Sequence, residues 1–238
     1  LSNADRLSFE SELEKFNKTV LISLKQVAEN RRFVDVSRSR ILAYSGEIVI
    51  SILMDYILKS NGIKSSSVNV NEWPIVTDDN FEAASFLLDE SKNQIDPLIK
   101  LVKENDVLCI GGFIGKTVDG LETTYERGGS DRSAADLGIL LSSHFSVVLD
   151  FEKDNSVLSA DPKIVSKTLH NVKTLSYNEA KLAGMFGMKI LDPIAIKDID
   201  DHDLNLIILV TNISNPSNYT QILKRLSDDE LEIEAKIK

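Results

Sequence analysis

A single cysteine, Cys109, excludes any disulfide within the chain. One free thiol inside an apolar run fits a reducing compartment, so a cytoplasmic location is expected. Aromatic residues make up only 6% of the 238, so the core must be built mainly from Ile, Leu, Val and Ala. Positive charge is short as well. Lys and Arg number 27 against 37 Asp and Glu, a formal net charge of -10. That argues against nonspecific nucleic-acid binding and against an anionic membrane surface. It leaves room for a small anionic ligand, which needs only a few local cations. No apolar run approaches the ~20 residues of a membrane span, and no secretory pattern opens the chain. The three histidines, His144, His170 and His202, lack metal-ligand spacing, so no metal site is expected.

Glycine is scarce too, with 11 in the whole chain, yet seven of these fall between Gly111 and Gly138. That stretch reads "GGFIGKTVDGLETTYERGGSDRSAADLG". The apolar run "DVLCIGGFIG" (Asp106 to Gly115) predicts a buried strand ending in glycines, a helix follows from about Ser130 to Leu141, and then the strand "FSVVLDF". This is the strand–turn–helix–strand order of a mainly parallel sheet. Such sheets bind ligands beyond the carboxyl ends of their strands. Glycine there lets backbone amides approach a ligand closely. The helix N-terminus after Gly128-Gly129-Ser130 offers unpaired N–H groups and partial positive charge. Arg127 can grip a carboxylate in bidentate fashion, and Asp131 in the first turn can accept from an ammonium. The stretch lacks GxxxxGK[ST] and the spacing of a dinucleotide GxGxxG, so neither loop is present.

Elsewhere, helical spacing runs from Ser8 to Asn30 and again from about Ser39 to Ser60, stopped by Asn61-Gly62. "SSVNV" predicts a short strand and "WPIVTDDNF" a loop; residues 81–104 predict one helix or two, broken near Pro97. Ser176 and Glu179 form a capping box. "LNLIILVTN" predicts a last strand ending at "SNPSN", and "SDDELEIEAKIK" a charged tail. The expectation is one α/β domain, three layers deep, around a mostly parallel sheet. In the second helix Tyr44, Glu47, Ser51 and Asp55 share one face, which by pattern is solvated. Met185 and Phe186 read as core.

The glycine stretch resembles the signature of the aspartate kinases, in which GFIG is followed by TTLGRGGSD. Two more blocks match in order. "SADPKIV…LSYNEAKLAGMFGMKILDP" is similar to that family's "TADPRIV…ISYEEAxELAxFGAKVLHP", and "AYSGEIVISILMDYIL" to its "SxGExxSxxLxxxxL" helix. The resemblance covers roughly residues 39 to 220. It implies an amino-acid kinase fold and transfer of the ATP γ-phosphoryl group, with Mg2+, to the β-carboxylate of L-aspartate. That reaction opens lysine, threonine and methionine biosynthesis, and a homodimer is the family expectation. Among site residues it implies Asp131 and Lys189 as catalytic. It implies Ser45, Glu47, Gly112, Phe113, Thr124, Arg127, Gly128, Gly129 and Ser130 as substrate-binding, and Asp150, Asp161, Lys163 and Lys189 as nucleotide-binding.

Several positions depart from the family. Its opening Lys-Phe-Gly-Gly strand has no counterpart here, so a catalytic domain over residues 1–222 is expected without that strand. Residues 223–238 are expected to be a tail or linker, with no ACT-type regulatory domains. Glu126 replaces a glycine beside Arg127, Asp192 replaces a histidine, and Leu158 stands where the family has a tyrosine. These changes keep an alternative open: a non-catalytic relative that binds aspartate or nucleotide without turnover.

Overall fold

The computed structural model describes residues 2–31, 34–160, 164–165, 169–188 and 190–226. The chain forms two compact units, Leu1–Ser133 and Ala134–Lys238. The charged tail, Asp161, Lys163 and Lys189 lie outside the described residues.

The first unit opens with helix α1, Asn3–Asn30. It begins before Ser8 because Ser2 caps it: the Ser2 hydroxyl accepts the Asp5 amide at 3.1 Å, and the Asp5 carboxylate accepts the Ser2 amide at 3.2 Å. The second expected helix is two helices, α2 (Asp35–Ser45) and α3 (Glu47–Ser60). Gly46, with φ -144° and ψ -82°, breaks them, so Glu47 starts a fresh helix. As predicted, Asn61 and Gly62 end α3, Gly62 in the left-handed region at φ 78°.

The polar face of α3 is not solvated, contrary to the pattern. Ser51 and Asp55 are each 5% exposed, beside buried Ile48. The Asp55 carboxylate accepts the Ser65 hydroxyl at 2.6 Å and pairs with Lys59 at 2.8 Å. These partners satisfy a buried charge that would otherwise be expensive. The outward stripe is instead apolar: Ile50, Met54 and Ile57 are exposed. The stretch Asp35–Ser60 is thus long and apolar enough to cross a membrane by length and composition. Its inward Asp55 and its ion-paired Arg40 are those of a helix packed on protein.

Strand β1 (Ser65–Ser67) pairs in parallel with β2 (Val107–Cys109). The crossover between them carries α4 (Leu88–Lys92) and α5 (Asp96–Glu104), with Pro97 in the first turn of α5, where its missing N–H costs nothing. The buried run does not continue as one strand. It turns at Gly111–Phe113, Phe113 adopting φ 69°. It then resumes as β3 (Ile114–Lys116), which pairs antiparallel with β4 (Glu122–Thr124). The hairpin turns through Asp119-Gly120, with Gly120 at φ 82°. Trp73 is 1% exposed and donates its indole N–H to the Ile114 carbonyl at 2.9 Å. Helix α6, Gly129–Ser142, follows close to its predicted bounds.

In the second unit, β5 (Val148–Lys153), β6 (Thr174–Ser176), β7 (Ile207–Asn212) and β8 (Asn215–Leu223) form one sheet in the order β5-β7-β8-β6. β5 starts at Val148 rather than Phe145, whose amide still closes the end of the preceding helix on Leu141. β7 is not the last strand. Asn212 Oδ1 accepts the amides of Ser214 and Asn215 at 2.8 and 3.0 Å, turning the chain into β8. Helix α7 (Tyr177–Met185) carries the predicted capping box of Ser176 and Glu179. Helix α8 (Pro193–Asp201) is capped by Asp192, whose carboxylate accepts the Ile194 amide at 2.8 Å. That cap gives the departure at Asp192 a local reason. Ile196, Ile199, Ile208, Val210 and Ile222 make the core of this unit, all at most 1% exposed. Among the described strands three pairings are parallel and two antiparallel, as expected of an α/β chain with a mostly parallel sheet.

Candidate functional site

In the first unit the glycine turn after β2 is packed from both sides by helix N-termini. A methyl group on Gly111 would lie 3.0 Å from the carbonyl carbon and oxygen of Glu47. One on Gly112 would lie 3.2 Å from Ser130 Cβ. Glycine at both positions therefore lets the first turns of α3 and α6 close on the end of β2. Each helix start adds a partial positive charge. Each also carries one acid in its first turn, Glu47 and Asp131.

The turn into α6 is just as tight. Gly128 sits at φ 89°, which glycine adopts without strain. Gly129 is buried against Tyr125 and Phe113. The Tyr125 amide donates to the Phe113 carbonyl at 3.0 Å. The Phe113 amide donates to the Ser133 hydroxyl at 2.9 Å, which itself donates to the Ser130 carbonyl at 3.1 Å. Ser133 is thus a positioning residue that the sequence pattern did not single out; its place one turn after Ser130 was the available signal. Arg132 stacks over the Tyr125 ring at 5.0 Å.

Arg127 projects from this frame and is exposed, like Glu126 and Ser130. Ser45 is exposed and Glu47 partly so. Thr124 is fully buried, its hydroxyl donating to the Phe81 carbonyl at 3.3 Å. Ser45, Glu47, Gly112, Phe113, Thr124, Arg127, Gly128, Gly129, Ser130 and Asp131 all lie in the first unit, and the fold brings Glu47 and Ser130 onto the Gly111–Gly112 turn. An arginine with two acids and two helix N-termini can read both ends of a zwitterion, carboxylate and ammonium. Burial pushes the Cys109 thiol, at the end of β2, above its ordinary value, which keeps it protonated and unreactive.

The second unit holds a cavity of about 520 Å³, within the range of small-molecule sites. It lies at the carboxyl end of β5, where Lys153 begins its wall, with Val210 of β7 behind. Leu158 and Ile164 line one side, Phe186 and Met188 another. Phe186 and Met185 are not core, as their spacing suggested. They are 86% and 74% exposed, because α7 ends at Met185 and releases both from its packed face. Asp150 lies on β5, three residues before Lys153, and accepts the Thr211 hydroxyl at 2.6 Å. Lys163 precedes Ile164 in sequence, and Lys189 lies between Met188 and Ile190, which also line the cavity.

A model of the "Amino acid kinase family" matches residues 7–209. A bifunctional aspartokinase/homoserine dehydrogenase of Arabidopsis thaliana is 34% identical over 151 residues, 59% of this chain and 16% of that protein. Aspartokinase 1 of Bacillus subtilis is 27% identical over 157 residues, 66% of this chain and 37% of that one. The chain thus spans well under half the length of these curated relatives. Among solved structures, E. coli aspartokinase III in complex with aspartate and ADP superposes with a TM-score of 0.76 at 21% identity, covering 92% of this chain and 47% of that one. The fold is that of these kinases.

Proposed function

Since the chain belongs to the amino acid kinase family, we propose that it is the catalytic domain of an aspartate kinase. In this reading it transfers the γ-phosphoryl group of Mg-ATP to the β-carboxylate of L-aspartate, giving 4-phospho-L-aspartate and ADP. The observation that carries the reading is the joining of two helix N-termini, Glu47 and Asp131 on the Gly111–Gly112 turn, inside a segment that keeps Arg127 and Gly-Gly-Ser-Asp.

Arg127 binds the substrate α-carboxylate, and Glu47 and Asp131 face its ammonium. The positive end of α6 favours the carboxylate that is phosphorylated. The cavity of the second unit takes the nucleotide base and ribose. Its apolar side chains suit a base, and the lysines adjacent to its lining residues in sequence, Lys163 and Lys189, serve the phosphates. Positioning and charge stabilisation then supply most of the catalysis, as phosphoryl transfer requires.

A hydroxamate assay on the purified chain with Mg-ATP and aspartate tests this. Acyl-phosphate formation is the expected result. Leu158 in the nucleotide cavity favours one rival, binding without turnover, and calorimetry showing aspartate and ADP bound by a chain that makes no acyl phosphate would establish it instead.

A further inference from the structure

We infer that Glu122 is a positioning residue for the substrate site, fixing the end of α2 and thereby the place where Glu47 starts α3. The inference rests on the aspartate reading above.

Glu122 heads β4 and is 8% exposed. Its carboxylate accepts the Arg40 guanidinium at 2.9 Å. The Tyr44 hydroxyl lies against the same carboxylate. Burial first, then the Glu122 charge and its hydrogen bond, push Tyr44 up to about 12. Arg40 and Tyr44 are four residues apart on α2, so they share a face, and one carboxylate takes both. On its other side Tyr44 packs on Phe16 of α1, ring centroids 5.5 Å apart.

Only Ser45 and Gly46 separate Tyr44 from Glu47. Gly46 is a soft joint: no heavy atom lies within 4 Å of where its Cβ would be. Gly46 itself carries no packing, so the angle of the break depends on what anchors the helix on each side: α3 on the Gly111 turn and the end of α2 on this cluster. Downstream, β4 runs from Glu122 to Thr124 and leads within three residues to Arg127. One buried carboxylate therefore joins the segment carrying Glu47 to the strand carrying Arg127. The other described polar side-chain ties of α2, from Ser37 to Gln26, from Arg38 to Glu82 and from Ser39 to the Phe81 carbonyl, sit nearer its start and leave its end to this cluster. A buried ion pair is a poor source of net stability compared with a matched apolar pair. What it adds is direction.

The test uses the purified chain at saturating Mg-ATP. Glu122→Gln keeps the volume and removes the charge. Aspartate KM should rise about tenfold, the equivalent of about 1.4 kcal/mol, while kcat stays within about threefold and ADP affinity is unchanged. Tyr44→Phe, which removes one hydroxyl, should raise KM about threefold. The apolar double variant Arg40→Met/Glu122→Leu should recover thermal stability without recovering KM. A cluster that only stabilises gives the opposite pattern: a lower Tm with wild-type KM in Glu122→Gln, or KM restored in the apolar double. Either result overturns the inference while wild-type turnover upholds the aspartate reading. A wild-type chain that makes no acyl phosphate overturns both.

Discussion

Replacing Gly129 by alanine puts one methyl group where two side chains already stand. The new carbon would lie 2.4 Å from Tyr125 Cβ and 2.8 Å from Phe113 Cδ2. Non-bonded carbons settle at roughly 3.5–4.0 Å, so the overlap is about 1 Å on each side. Tyr125 Cβ cannot rotate away, because it is fixed to a backbone whose amide is bonded to Phe113. Phe113 is held in turn by Ser133 and a left-handed backbone. The first turn of α6 must therefore move. Overpacking of this kind costs about 1–3 kcal/mol, and the better helix propensity of alanine returns at most about 1 kcal/mol. A net loss of about 1–2 kcal/mol lowers Tm by about 2–8 °C in a chain of this size. The larger effect is on substrate. A shift of about 1 Å in a positioning segment can cost about 10²-fold in rate, so aspartate kcat/KM should fall much further than stability does. Calorimetry and steady-state kinetics on Gly129→Ala read both quantities. Wild-type Tm together with wild-type kcat/KM would show that the turn is soft and that the close packing around Gly129 has no functional weight.

Arg127→Ala should raise aspartate KM about 10- to 100-fold, the range for losing a charged hydrogen-bonding partner. It should leave ADP affinity intact; equal loss of ADP binding in calorimetry would remove Arg127 from the substrate site. Phe186→Ala removes an exposed ring and should leave Tm unchanged, yet weaken binding of a fluorescent ADP analogue about tenfold if the ring covers the base; unchanged affinity refutes that placement. Tyr44 and Tyr177 are both pushed up to about 12, chiefly by burial. The fold favours their neutral forms, so their contribution to stability is complete below about pH 10 and is lost as pH rises toward 12. Ultraviolet titration of the phenolates should show Tyr44 and Tyr177 ionising late, with Tyr56 also above its ordinary value. Ionisation of all five tyrosines near the ordinary value would contradict their burial.

The glycine turn was legible because its chemistry is local. Gly111, Gly112 and Gly129 mark where backbone must come close, and α6 began within a residue of its expected start. The family itself was legible from three ordered blocks. What escaped was set by distant partners. The inward turn of Asp55 depends on Ser65, ten residues away, and helical periodicity alone assigns such a polar stripe to water. The break at Gly46 leaves no composition signal beyond one glycine in a helical pattern. The β3–β4 hairpin did have a signal, Asp119-Gly120, obscured by an apolar run that reads as continuous through Gly115. Phe186 looked like core because a helical pattern was extended past the residue where α7 stops.

Trp73 gives the site an optical consequence. It is the only tryptophan in the sequence, it is shielded from water, and its indole hydrogen-bonds the carbonyl of Ile114, the residue that follows the Gly111–Phe113 turn. Indole emission from this chain has one source, tethered to the strand that leaves the proposed aspartate site. A ligand that tightens the turn is expected to alter the indole's hydrogen bond and hence its emission spectrum. The protein therefore carries its own fluorophore for following occupancy of its first unit, without a label and without a second tryptophan to dilute the signal.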